Sequence, residues 1–370
     1  MLAKKITLRN FRNIEQAEIS FHEGINVLLG DNAEGKTNLL EALYFVSIGK
    51  SFRLQHLNEL IRFEEKEAFI SLDFYAGTRD QSISVLLGNN RVRAAEKNRV
   101  RVRRMSEIIG SFRAVLFCPE HLSLIKDGPG ERRNFLDIAI CAAEPLYLAA
   151  LQRYHHVLKQ RNALIRSAED NPTLFYETGD VWSKQLAKEG AYIAARRALF
   201  IGRAERYMKE CFAEMTDARE EPSLCYLGPC MKEISDYADN DKTEKILYDK
   251  LSKNMEREWA AGTTLWGIHK DDVEVLLNGR AARTFCSQGQ QRSLALALKL
   301  AEGELCREET GEYPVFLFDD VLSELDRSRK EYLLKKIKGK QVILTACEAA
   351  DFAGERCILV KGGSYHQKEE

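Results

Sequence analysis

The chain contains no apolar run approaching the roughly eighteen residues that a membrane-spanning helix needs, so no spanning helix is expected. It has no C-x-x-C pair. Nine cysteines are scattered along 370 residues, and Cys225 and Cys230 have neither a second pair nor a histidine cluster to complete a zinc site. An odd, unpatterned set of this kind reads as reduced thiols packed as small hydrophobes in a cytoplasm. Met1–Ile6 runs straight into strand-like sequence, so no signal peptide is expected. An excess of charge of either sign is also missing. The net charge is -1, so a nucleic-acid site would have to be a local basic patch.

What is present begins at Gly30. The stretch Gly30, Asp31, Asn32, Ala33, Glu34, Gly35, Lys36, Thr37 fits G-x-x-x-x-G-K-T without a gap. The apolar run Ile25–Leu29 leads into it, and an apolar-periodic segment with Leu39, Leu40, Leu43 and Phe45 follows. Strand, glycine loop and helix are the context in which this spacing cradles phosphate: the loop N–H groups turn inward and the helix start adds its positive end. Lys36 would reach the β- and γ-phosphates of ATP, and the Thr37 hydroxyl would bind Mg²⁺. Nearby, Asn10-Phe11-Arg12-Asn13 reads as a polar turn. Either it is a solvated hairpin, or Arg12 and Asn13 face the nucleotide.

Residues 68–102 alternate with a period near two around a Gly88-Asn89-Asn90 turn, which predicts an antiparallel sheet. Its last arm is basic. Arg99, Arg101 and Arg103 alternate with Val100 and Val102, which would put the three arginines on one strand face. Such a row is a solvated face or a phosphate-tracking ridge. The period then becomes helical over Glu131–Ile140, Leu146–Ile165 and Trp182–Met208, with little glycine or proline and with loops expected at 170–174 and 216–230. A block of roughly 130 residues is too short for a long coiled-coil arm, so a compact lobe is expected.

Strand character returns at Gly262–Leu265 and Val273–Leu277, with a turn at Asn278-Gly279. A helix from about Gln288 to Arg307, the apolar strand Pro314–Phe318, a helix at Arg327–Lys338 and a strand at Gln341–Thr345 complete an α/β alternation that should share one sheet with the phosphate loop. Asp319 and Asp320 end the Pro314–Phe318 strand. Beside a phosphate loop, Asp319 would hold Mg²⁺ and Asp320 would orient or deprotonate the attacking water; otherwise the pair is a helix cap plus a surface charge. Ser287, Gly289 and Gln290 open a leucine-rich helix. They form either an ordinary serine cap or a second anion site closing over nucleotide held by another subunit.

In this order around an inserted lobe, these segments resemble the ABC-type ATPases, and within them the heads of structural-maintenance and break-repair ATPases. GDNAEGKTNLLEAL, FCPEHL, GIHKDD, SQGQQRSLALALKLAE and LFDDVLSELD together resemble the RecF family of bacterial recombination mediators. The resemblance implies an α/β phosphate-loop ATPase head (residues 1–118 and 258–370, with a β subdomain at about 67–104) and an inserted helical lobe at 119–257. It implies a weak, DNA-stimulated ATPase in which Gly30–Thr37, Asp319 and Asp320 form one half-site. Ser287–Gln290 of a second copy would complete it, and Ser323–Asp326 would lie at the dimer interface. DNA at single-strand gaps and junctions, RecO and RecR would be the partners, with RecA loading, replication, gap repair and the SOS response as the setting. Four positions depart from the pattern: Asp320 stands for the glutamate of transporter cassettes, Glu120 for a glutamine, and Ile268 and Lys270 for proline and arginine. No switch histidine follows Thr345. Two other readings remain, the nucleotide-binding subunit of a transporter-like assembly and a small-molecule phosphotransferase.

Overall fold

A computed structural model describes residues 1–168, 172–228, 234–348, 352 and 354–367. Cys230 and part of each expected loop at 170–174 and 216–230 lie outside the described residues. In chain order the first elements are β1 (Leu2–Phe11), β2 (Ile14–Ser20), β3 (Ile25–Leu29), α1 (Lys36–Ile48), β4 (Glu67–Ala76), β5 (Arg79–Gly88), β6 (Arg91–Lys97), β7 (Val100–Arg101) and β8 (Ala114–Phe117). Next come α2 (Ser123–Lys126), α3 (Pro129–Ala143), α4 (Pro145–Arg166), α5 (Pro172–Thr216), β9 (Pro222–Leu227), α6 (Asn240–Lys253) and α7 (Met255–Ala261). The chain continues with β10 (Asp272–Leu277), β11 (Arg280–Ala281), α8 (Ala282–Phe285) and α9 (Gln288–Thr310). It ends with β12 (Val315–Phe318), α10 (Arg327–Ile337), β13 (Val342–Ala346), β14 (Arg356–Lys361) and β15 (Ser364–Gln367).

These elements form two compact units. One is Met1–His121 with Glu302–Glu370, and the other is Leu122–Ala301. In the first unit, β15-β14-β3-β13-β12-β8 make a sheet that is parallel apart from the β14–β15 hairpin. β8 and β12 are buried at every residue, as strands covered on both faces must be. A second, antiparallel sheet runs β2-β1-β4-β5-β6-β7. There Ile6 and Leu8 of β1 are fully buried while Lys5 and Thr7 face outward, the alternation of a one-sided sheet. The subdomain foreseen at about 67–104 is therefore larger, because β1 pairs with β4 and brings β2 with it. Helix α1 touches both sheets and buries eleven of its thirteen residues, so it shows no amphipathic stripe.

The second unit holds α2 to α8, the start of α9 and a three-stranded sheet, β11-β10-β9. It corrects the expected boundary at 258 and two local assignments. β9 occupies part of the stretch read as a loop, and Gly262–Leu265 forms no strand. Instead, Thr264 donates twice to the Asn162 side chain, from its N–H at 2.8 Å and its hydroxyl at 2.7 Å. β10 pairs with β9, so its period-two pattern belongs to the second unit rather than to the parallel sheet of the first. Buried cations hold the same segment there. Arg161 donates to Glu258 at 2.5 Å and to Thr264 at 2.9 Å; Arg197 donates to Asp137 at 2.9 Å and to the Ile268 carbonyl at 2.8 Å. A buried charge must be paired, and these partners lie on both sides of the expected border.

Candidate nucleotide site

The tips of β3, β8, β12 and β13 lie on one edge of the parallel sheet, since Phe318 registers with Phe117 and Leu344, and Ala346 with Leu29. The carboxyl edge of such a sheet is where α/β proteins bind ligands. The loop from Gly30 to Thr37 leaves β3 at this edge. A Cβ on Gly30 would meet the Val360 carbonyl at 2.3 Å, so only glycine lets β14 approach. Gly35 has φ +113 and caps α1 with no side-chain hydrogen bond, leaving the helix start open. Lys36 is only 8% exposed, and its ammonium donates to the carbonyls of Gly30 and of Asp31 (3.3 Å).

Thr37 donates its hydroxyl to Asp319 Oδ1 at 2.8 Å, and Thr345 donates to the same oxygen at 3.2 Å. Burial pushes the Asp319 carboxyl above its usual range and Glu120 adds to the shift, while the two hydroxyls and Arg53 oppose it. Asp320 occupies the left-handed region at φ +52, an unfavourable conformation for a non-glycine residue. Two hydroxyls hold it there. Its N–H donates to Thr345 Oγ1 at 2.8 Å, and Ser323 Oγ donates to its carbonyl and carboxylate, each at 2.7 Å.

These groups surround a cavity of about 520 Å³ lined by Asn32, Ala33, Gly35, Lys36, Thr37, Asn38, Asp319, Asp320 and Thr345, with Arg12, Arg53 and Glu120. Arg12 thus faces the site, its guanidinium paired with the fully buried Glu41 at 3.1 Å and donating to the Glu59 carbonyl at 3.0 Å. Asn13 does not line the cavity. Its side chain donates to the Glu34 carbonyl at 3.3 Å and accepts from Asn38 at 2.7 Å, bracing the loop from behind. Glu34 faces away too, accepting from the Gly362 N–H. Arg53 and Thr345 escaped the sequence reading: Arg53 lies outside any periodic pattern, and Thr345 registered only as the end of a strand. The Thr37 hydroxyl and Asp319 carboxylate fit Mg²⁺, which takes hard oxygen donors.

Ser287, Gly289 and Gln290 belong to the other unit. Gln290 N–H donates to Ser287 Oγ at 3.3 Å, and Ser287 N–H donates to Gln290 Oε1 at 2.8 Å, a reciprocal capping box. Gln290 also donates to Glu220. The arginine row needs correction. Asn98 and Arg99 have φ +53 and +65 and form a two-residue hairpin turn, and β7 ends at Arg101. Arg99, Arg101 and Arg103 are all exposed, yet they share no strand face, because the turn reverses the chain at Arg99. The GIHKDD segment serves the lobe. Asp272 accepts from Arg132 at 2.7 and 2.9 Å, and burial moves Asp271 up to about 6 and His269 down to about 4. Lys270 is exposed.

Among the described residues, no helix is long and apolar enough to cross a membrane. Residues 2–358 match the family described as the RecF/RecN/SMC N-terminal domain. The DNA replication and repair protein RecF of Clostridium novyi (strain NT) is 37% identical over 351 residues, covering 95% of this chain and 94% of its own. Its counterpart in Pediococcus pentosaceus is 40% identical over 357 residues, with coverages of 95% and 94%. A solved structure of the recombination mediator protein RecF with ATP, in the RecFOR pathway, superposes with a TM-score of 0.93 at 33% identity, covering 100% of this chain and 98% of the other. An Smc head domain from Pyrococcus furiosus, at TM-score 0.56 and 17% identity, shares the fold.

Proposed function

The chain belongs to the RecF family, and from that premise we propose that it is an ATP-gated, DNA-binding recombination mediator. The observation that carries the reading is the meeting of Thr37 and Asp319 at 2.8 Å beside Lys36, at the mouth of a cavity sized for a polyphosphate. Lys36 would exchange the Gly30 and Asp31 carbonyls for the β- and γ-phosphate oxygens of ATP. Thr37 and Asp319 would hold Mg²⁺, which neutralises charge on those oxygens. Asp320 orients the attacking water and accepts its proton, a slow step that makes ATP more a clasp than a fuel. Ser287, Gly289 and Gln290 of a second copy would close over the γ-phosphate in an ATP-dependent homodimer, opening their capping box as they do so.

DNA would lie against Arg99, Arg101 and Arg103, whose exposure and turn position suit phosphate contacts on an irregular surface such as a single-strand gap or junction. Work with RecO and RecR to load RecA, support of replication and SOS induction, and a cytoplasmic location follow the same reading. Filter binding on gapped duplex DNA tests it. ATP should strengthen retention several-fold, whereas equal retention with and without ATP removes the gate. No retention at all would favour the transporter-like alternative.

A further inference from the structure

We propose that the C-terminal hairpin of β14 and β15 sets the conformation of the nucleotide loop, with Tyr365 as its positioning residue. This rests on the reading of Gly30–Thr37 as the ATP site and goes beyond it, because the hairpin touches the outer side of the loop rather than the cavity. Two consecutive loop carbonyls are held from that side. The Glu34 carbonyl accepts from the Gly363 N–H at 2.9 Å, and the Gly35 carbonyl accepts from the Tyr365 hydroxyl at 2.8 Å. In a planar trans peptide the C=O and the following N–H point in opposite directions. Anchoring these two carbonyls outward therefore turns the N–H groups of Gly35 and Lys36 inward, where a phosphate would accept from them.

The rest of the hairpin is shaped for the same contact. Gly363 has φ +79, and a Cβ there would meet the Asn13 carbonyl at 2.6 Å, so glycine is required by both conformation and space. The Gly362 N–H donates to the Glu34 carboxylate, fixing a loop charge that does not line the cavity. Burial raises the Tyr365 phenol above its ordinary value, which keeps it a donor throughout the physiological range. The hairpin shares this hold with Asn13, whose side chain donates to the Glu34 carbonyl at 3.3 Å, and with the Asn38 N–H, which donates to the Gly35 carbonyl at 3.0 Å, so losing the Tyr365 hydroxyl should loosen the loop rather than free it.

The test measures binding of a fluorescent ATP analogue, ATP hydrolysis and thermal melting on the full chain carrying Tyr365→Phe, Gly363→Ala or Lys36→Met. Tyr365→Phe removes one hydroxyl and should raise Kd and KM about five- to tenfold, the range of one hydrogen bond, with kcat within about twofold and Tm unchanged. Gly363→Ala should weaken binding in the same direction by pushing the hairpin off Asn13. An unchanged Kd for Tyr365→Phe overturns the proposal, and so does a loss that tracks a falling Tm, which would mark a merely structural contact. Lys36→Met separates the two readings. If it binds like the parent chain, the nucleotide-site reading itself fails; if it alone loses binding, only the hairpin's role fails.

Discussion

Two helix starts in this molecule carry the same positive end and treat it in opposite ways. At α1 the cap is Gly35, with no side chain to satisfy the first N–H groups, and Lys36 folds back onto loop carbonyls. At α9 the cap is Ser287, and Ser287 and Gln290 satisfy each other's N–H groups. A helix start binds an anion only if its donors are free, so α1 is ready for phosphate while α9 is closed within its own chain. Two different fates for one dipole follow from whether the residue at the cap has an oxygen.

Four variants test that contrast and the site around it. Lys36→Met should abolish ATP binding at the open start, a loss on the order of 100-fold or more in a direct binding assay; ATP-dependent dimerisation should vanish with it, and a variant that still dimerises on ATP would contradict the clasp. Asp320→Asn should lower hydrolysis on the order of 100-fold while sparing ATP affinity. Unchanged turnover would reassign the base, with Glu120 the next carboxylate on the cavity wall. Ser287→Ala probes the closed start. As a cap alone it costs about 1 kcal/mol of stability and leaves turnover intact. A loss of turnover of about tenfold, larger than that stability change accounts for, is expected if the hydroxyl also meets a partner's phosphate. The smallest effect is on DNA. Arg99, Arg101 and Arg103 replaced by alanine should lower the slope of log affinity against log salt by about one per lost phosphate contact. An unaltered slope would leave the hairpin tip a solvated surface.

Much of the α/β core was legible because its signals are local. The gap-free glycine spacing, the largely apolar strands ending at Leu29 and Phe318, and the Asn89-Asn90 and Asn278-Gly279 turns each depend on a few neighbouring residues, and each stands where the spacing predicts it. The domain border was not legible. β10 has the same alternation whether its partner is a head strand or β9, and period two names a strand without naming its neighbour. The arginine row failed for a related reason: alternation describes a strand only while the chain stays extended, and Asn98-Arg99 turns it back.

Local spacing alone marks a glycine loop of phosphate-binding pattern at Gly30–Thr37 and two carboxylates at the end of a buried strand. Backbone curl and apolar run length are properties of adjacent residues. The tertiary structure alone decided what holds those parts in working order: Thr345 between Asp319 and Asp320, Glu41 against Arg12, and Tyr365 on the Gly35 carbonyl across 330 positions of chain. Those contacts depend on strand order within the sheets, which is set by the packing of the whole unit and leaves no mark in local spacing.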